Sequence, residues 1–376
     1  MAKSRNIPLH IRCMLWGRAS GRCEFCNNPV SFHTMTKEDV NLGEAAHIIG
    51  FSEDGPRGEE SLSKEVAKEI SNLMLLCGVC HKTIDTNKAN YPAGILQPIK
   101  EAHERRIEIV SGIDPEKQSH ILLYGANVGD HSSALSYRKA AWAMIPDWYP
   151  AYKNAISLGL VNSSFRDRDS DFWRIESVHL QNMVKQQVRP RLANGGVEHF
   201  SIFGFAPQPL LILLGYLLSD IPAAEVYQLH REPQNWRWQE HPDNFKYIVK
   251  EPGTINGDPA LVLSLSAKIT DDRIKAALCD EVTIWRVTVP EPNNDFLKSR
   301  RQLQQFRKTM RELLDRIKAR HGENAVIHVF PAVPVAIAVE FGRIIMPKAD
   351  LPLCIYDQNR KLGGFVKALM IPEDNN

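Results

Sequence analysis

The 376-residue chain has no excess of charge of either sign: 46 Lys and Arg stand against 44 Asp and Glu. A protein that coats nucleic acid over its whole surface is excluded, so any contact with a phosphate backbone has to be local. No apolar leader follows Met1–Asn6, so no secretion signal is expected and a cytoplasmic location is. No low-complexity tract is present, and 43% hydrophobic with 24% charged residues excludes a disordered chain, a collagen or a long coiled coil. No uninterrupted membrane-length run occurs. Phe200–Leu218 is apolar and about long enough, but Pro207 and Pro209 would break the backbone bonds a spanning helix needs. Strand, tight turn and buried helix fits it better, and no membrane partner is expected. Cysteine is scarce too, with seven residues. Four of them stand in two C-x-x-C pairs, and without a secretion signal such pairs point to a metal rather than to disulfides. Cys13, Cys279 and Cys354 lack partners and read as buried thiols.

The length suggests two or three domains. Residues 1–112 carry both cysteine pairs and end in a charged helix, Pro98–Val110. Residues 113–170 are mixed and read as a connector, with a strand at Ile121–Tyr124 and a helical part from Tyr137 to Leu158. Residues 171–376 alternate apolar strands and helices, the pattern of buried parallel sheets. HFSIFGFAPQPLLILLGYLL and VIHVFPAVPVAIAVEFG share one grammar: apolar strand, proline-containing turn, apolar helix. Two related α/β halves are expected.

Cys23-Glu-Phe-Cys26 and Cys77-Gly-Val-Cys80 each hold two sulfurs close together, and four thiolates suit tetrahedral Zn²⁺. Between them lies Glu44-Ala-Ala-His47. Asn72 precedes the second pair, and His81 follows it, with Asp85 one helical turn on, so that both side chains share a face. Taken singly, His47 reads as a core histidine, Asn72 as a cap and His81 as a substitute zinc ligand. Together, in this order around two knuckles, they offer a neutral imidazole that could take a proton from water. Lys3, Arg5, Arg12, Arg18 and Arg22 form an acid-free stretch that could neutralise DNA phosphates, or be a solvated basic arm.

In the C-terminal half, Pro207-Gln208-Pro209 sits where a strand ends and a helix begins, a place where α/β sheets bind ligands. Arg231, Trp236 and Trp238 lie in a polar stretch where tryptophans could stack on bases, or else peg a core. Lys268 and Lys348 are weaker candidates of the same kind. The helix Leu297–Arg320 is strongly basic and reads as a solvated face, or as a contact for DNA or a neighbouring subunit.

The knuckles with His47, Asn72 and His81 resemble the zinc-stapled HNH nucleases. The stretches HFSIFGFAPQPLLILLGYLLSD, HREPQNWRW and HVFPAVPVAIAVEFGRIIMPKADLPLCIYD resemble a SAVED domain. An HNH domain followed by SAVED resembles the effector nucleases of bacterial CBASS anti-phage systems. The resemblance implies an α+β ββα-metal (HNH) domain with a four-cysteine zinc site at 1–112. A C-terminal α/β SAVED domain of two CARF/Rossmann-like halves would follow at 171–376. It implies His47 as general base, Asn72 as a residue that orients the base or supports the metal, and His81 as a Mg²⁺ ligand; Asp85, on the same helix face as His81, would suit Mg²⁺ as an oxygen ligand. Many HNH domains have Asp just before the base; here that position is Ala46, so either Glu44 or Asp85 supplies the carboxylate or the ion is held differently. A cyclic di- or trinucleotide would be the activator. Gln208, Arg231, Trp236, Trp238, Lys268 and Lys348 are candidates to bind it. Double-stranded DNA would be the substrate, and a homo-oligomer, dimer or tetramer, the active form. The competing readings are a modification-dependent HNH restriction endonuclease, whose C-terminal domain reads DNA, and a DNA-binding regulator with an inactive nuclease domain.

Overall fold

The computed structural model describes residues 7–51, 57–58, 66–128, 135–160, 165–169, 171–240, 244–278, 281–359 and 363–372. The chain divides into two compact units, 1–114 and 115–376.

The first unit is built on a two-stranded antiparallel ribbon. β1 (Gly43–His47) pairs with β2 (Leu73–Cys77), Gly43 opposite Cys77 and His47 opposite Leu73. The chain then turns directly into helix α2 (Gly78–Thr86), which makes a strand–strand–helix unit. All of Leu73–Leu76 is buried. A lone ribbon cannot bury both faces, so helix α1 (Leu9–Ala19) and the first knuckle cover it, with Leu15, Ala19 and Val30 in the same core. The knuckle also pairs with the open edge of β2: Glu24 N–H donates to Leu75 O at 2.8 Å, and the Glu24 carboxylate accepts from Leu75 N–H at 2.6 Å. Burial pushes the Glu24 carboxyl up to about 7, although Lys100 faces it at 3.7 Å. Helix α3 (Ala93–Ser111) closes the unit and starts five residues before the predicted Pro98, which sits inside it.

The second unit holds two sheets. In the first, β3 (Gln118–Gly125), β6 (His199–Phe205) and β7 (Ala223–Tyr227) are parallel neighbours, and the short β4 (Tyr149–Pro150) and β5 (Ile156–Ser157) flank β3. In the second, β10 (Val282–Thr288), β9 (Asp258–Ser264), β11 (Ile327–Ala332) and β12 (Leu353–Asn359) are parallel, with antiparallel edges β8 (Ile248–Lys250) and β13 (Gly364–Ile371). β3–β6–β7 and β9–β11–β12 repeat one order, so the two halves read from the sequence are present. The connector reading is corrected: 115–170 belongs to the second unit, because β3 is a central strand, hydrogen-bonded along β6 from His120 to Gly125. Only Tyr137–Met144 (α4) of the predicted Tyr137–Leu158 stretch is helical, and α5 (Phe172–Met183), α6 (Arg189–Ala193) and α8 (Asp271–Leu278) are further helices of this unit. No helix among the described residues is long and apolar enough to cross a membrane, since Phe200–Leu218 splits into β6 and helix α7 (Gln208–Leu218).

α7 crosses helix α10 (Val335–Arg343) at glycine. A Cβ on Gly215 would lie 1.9 Å from Val339 O, and one on Gly342 would lie 1.9 Å from Ile212 O. Pro207 to Gly215 and Pro334 to Gly342 are the same step along the chain. The halves therefore meet at equivalent residues, backbone against backbone. Helix α9 (Arg300–His321) begins with a capping box, Ser299 and Gln302. Its basic face is largely neutralised within the unit: Arg307 lies near Glu340, Arg311 on Asp350 and Asp315, and Arg316 on Glu251.

Candidate functional sites

The four knuckle thiols converge. Sγ atoms of Cys23, Cys26, Cys77 and Cys80 all lie within 4.8 Å of one another, the one such ligand group among the described residues. The first pair comes from a turn and the second from the β2–α2 junction, so bridging them locks the knuckle to the ribbon. The all-thiolate set and its spacing fit a tetrahedral Zn²⁺. Of the other cysteines, Cys354 is buried, Cys13 is exposed on α1 rather than buried as expected, and Cys279 lies outside the described residues.

A groove of about 480 Å³ lies beside the ribbon, lined by Glu44, Gly78, His81, Lys82, Asp85 and Thr86. His81 stands between two carboxylates. Its Nδ1 lies 2.6 Å from Glu44 Oε2 and its Nε2 lies 3.4 Å from Asp85 Oδ2. A carboxylate only accepts, so the short contact places a ring proton on Nδ1, and Nε2 is the nitrogen turned towards Asp85. His47 ends β1. Its Nε2 bonds Ala67 O at 2.9 Å; a carbonyl only accepts, so Nε2 is the donor there. Asn72 does not reach into the groove. Its amide clamps the Ile49 backbone, accepting from Ile49 N–H at 2.7 Å and donating to Ile49 O at 3.0 Å, which fixes the chain two residues past His47. The sequence reading missed Arg57. Its guanidinium bonds the carbonyls of His47 and Ile48 and the Asp85 carboxylate, and no spacing signal marks it. Of the N-terminal basic stretch, Arg18 lies near Glu104 and Arg22 bonds Asn27 O, while Lys3 and Arg5 lie outside the described residues.

The second unit has a pocket of about 790 Å³ at the carboxyl end of β6. One wall is α4, with Arg138, Lys139 and Trp142; the other is the segment after β7, with Leu229, Asn235, Trp236 and Arg237; Phe205 is at the base. Among the described residues three cations and no acid line it, and Trp142 is 44% exposed. Arg237 ties the walls by donating to Trp142 O at 3.3 Å. The size suits a ligand of several hundred daltons, and aromatic faces with arginines suit bases and phosphates.

Of the candidate ligand residues, only Trp236 lines this pocket. It is 6% exposed and packs edge-on against Phe203, so it serves as pocket floor and core peg at once. Trp238 turns away and donates to Glu225 at 2.9 Å. Gln208 is corrected: its side-chain oxygen accepts from Val333 N–H at 3.1 Å in the other half. The N-termini of α7 and α10 do not offer a phosphate cradle. Pro207 and Pro209 remove donors from α7, and Gln208 and Gln228 occupy amides at the start of α10. Arg231, Lys268 and Lys348 are exposed and do not line the pocket. Arg138, Lys139, Trp142 and Arg237 were missed, because only tertiary packing brings α4 opposite the segment after β7.

Residues 180–371 match the family described as the SMODS-associated and fused to various effectors sensor domain, SAVED. That is half of the chain, and the chain belongs to this family. The match begins after β3, so the first sheet is completed by a strand that precedes the matched residues. Among solved structures, the Acinetobacter baumannii Cap4 SAVED/CARF-domain receptor with the cyclic trinucleotide 2'3'3'-cAAA is 13% identical, covering 83% of this chain and 61% of that one at a TM-score of 0.43. The same receptor with 3'3'3'-cAAA is 14% identical, with coverages of 83% and 62% and a TM-score of 0.41. The Moraxella osloensis Cap4 receptor is 11% identical, with coverages of 77% and 60% and a TM-score of 0.40. The chain thus spans about three fifths of the length of these receptors. No curated protein matches it.

Proposed function

We propose that this protein is a DNA endonuclease of bacterial anti-phage defence, switched on by a cyclic oligonucleotide. The observation that carries the reading is one chain joining a SAVED sensor to a thiolate-stapled ββα unit, whose groove holds His81 between Glu44 and Asp85.

In this reading His47 is the general base. Its Nδ1 lone pair takes a proton from the water that attacks phosphorus, and the Ala67 carbonyl holds the tautomer. Asn72 keeps the chain beyond His47 in place. Asp85 Oδ2 and His81 Nε2 are the residues that would hold a Mg²⁺ ion. Ligands about 2.1 Å from an octahedral ion sit roughly 3 Å apart, close to the 3.4 Å observed between these atoms. Glu44 accepts from the opposite ring nitrogen and so orients His81, while Asp85 stands as the carboxylate in place of the one missing at Ala46. The ion supplies charge stabilisation for the pentavalent phosphorus and the departing oxygen. Zn²⁺ on the four cysteines is structural.

The activator is a cyclic di- or trinucleotide, held in the pocket of Arg138, Lys139, Trp142, Trp236 and Arg237. To switch the enzyme it must bind the active assembly, a dimer or tetramer, better than the resting form. Double-stranded DNA is then cut with little sequence preference.

Plasmid cleavage in Mg²⁺ against a panel of cyclic di- and trinucleotides tests this. Cutting that appears with one ligand and vanishes in His47→Ala is expected. Cutting with no ligand would move the second unit towards DNA recognition, as in a modification-dependent restriction enzyme. No cutting with any ligand that binds would end the nuclease reading.

A further inference from the structure

Arg57 is the most heavily bonded side chain near the groove, and nothing in the proposed chemistry uses it. Its guanidinium is 6% exposed. Nε donates to Ile48 O at 2.9 Å and Nη1 to Ile84 O at 3.4 Å. Nη2 donates both to His47 O at 3.1 Å and to Asp85 Oδ1 at 2.7 Å. One planar group thus staples the end of the base-bearing strand to the helix bearing the cation ligands. Lysine has neither the planar fork nor the donors to do this.

The bond to Asp85 has a chemical consequence. With Oδ1 held by Arg57, Oδ2 is the oxygen turned towards His81 Nε2. Arg57 competes for Oδ1, so Asp85 is set to present Oδ2 alone to a cation. Small octahedral ions such as Mg²⁺ and Mn²⁺ accept single oxygens at short distance, whereas Ca²⁺ gains most from larger, bidentate carboxylate shells. We infer that Arg57 is a specificity-determining residue for the cation: by holding Asp85 monodentate, it makes the groove select small octahedral divalent ions over Ca²⁺. The inference rests on the proposed cation site at His81 and Asp85.

Removing Arg57 also removes a positive charge, which raises affinity for every divalent ion to a similar degree. The ratio of two affinities cancels that effect and isolates geometry. The experiment is calorimetric titration of the zinc-loaded full chain with Mn²⁺ and with Ca²⁺, in wild type, Arg57→Met and Asp85→Asn. Zinc content and circular dichroism check that each variant is folded; should Arg57→Met fail to fold, Arg57→Gln replaces it. Wild type should bind Mn²⁺ more tightly than Ca²⁺, and loss of Arg57 should shrink that ratio by about tenfold or more. Asp85→Asn should bind neither ion appreciably. A ratio unchanged within about threefold in a folded Arg57 variant overturns the role given to Arg57 and leaves the cation site standing. Binding in Asp85→Asn equal to wild type, or no Mn²⁺ binding by wild type, overturns the site itself and Arg57's role with it.

Discussion

Replacing Gly215 by alanine tests the packing that joins the two SAVED halves. The new methyl carbon would sit 1.9 Å from Val339 O, 2.8 Å from Arg343 N and 2.9 Å from the Val339 carbonyl carbon. All three are backbone atoms, so no side chain can swing away, and relief requires α7 and α10 to part by about 1.5 Å, since non-bonded heavy atoms rest near ~3.5 Å. Parting them loosens Leu211, Ile212, Leu214, Ile337 and Phe341, all fully buried. Overpacking of this kind costs about 1–3 kcal/mol, and more when backbone must move. Alanine regains ~1 kcal/mol of helix propensity over glycine. The steric effect wins, with a net loss of about 2 kcal/mol. A unit of this size should melt roughly 4–8 °C lower. The mirror variant Gly342→Ala, 1.9 Å from Ile212 O, should do the same. In the double variant the helices are already apart, so the second change should cost less than the first. Urea and thermal unfolding of the two singles and the double measure this. Strictly additive losses, or a single variant within ~0.5 kcal/mol of wild type, would refute the backbone-to-backbone contact.

Three further outcomes are expected. Cys26→Ser should lose zinc and unfold the first unit while the melting of the second stays in place, and His47→Ala should keep its zinc; zinc analysis with calorimetry reads both. Arg237→Ala and Arg138→Ala should each weaken binding of the proposed cyclic nucleotide by about tenfold and flatten its salt dependence, while Lys348→Ala leaves it unchanged; equal affinities in all three would move the ligand elsewhere. The buried His199 is held down to about 4, first by burial and then by Arg343 and Lys117, with Ser119 Oγ at 2.8 Å from Nδ1 and Trp148 stacked on the ring. A depressed histidine contributes stability that is complete above its unfolded value of about 6.5 and is lost as pH falls towards 4. The shift corresponds to about 3 kcal/mol, opposed over much of the same range by Asp357, whose carboxyl is raised to about 7. His199→Gln should therefore gain relative to wild type as pH drops from 6.5 to 4; parallel stability–pH curves for the two proteins would refute it.

Much of this protein is determined by local sequence. Four thiols in two C-x-x-C pairs have few physical uses, and the cluster they form follows from that chemistry. Apolar strand, proline turn and apolar helix, written twice, dictate two α/β halves, because a run broken by Pro207 and Pro209 cannot continue as one helix. His81 and Asp85 share a face because they lie one helical turn apart. Tertiary structure decided the rest. Whether 113–170 links domains or belongs to one depends on β3 pairing with β6, a contact that residue type does not encode. Trp236 and Trp238 are alike in sequence, yet one floors a pocket and the other bonds Glu225, because the chain there is irregular and has no strand alternation to set their directions. The cations of the pocket come from segments about a hundred residues apart, and Arg57 reaches the groove from a loop with no periodicity. Motifs whose chemistry needs neighbours in the chain can be read from residues; surfaces made by distant segments exist only once packing has brought them together.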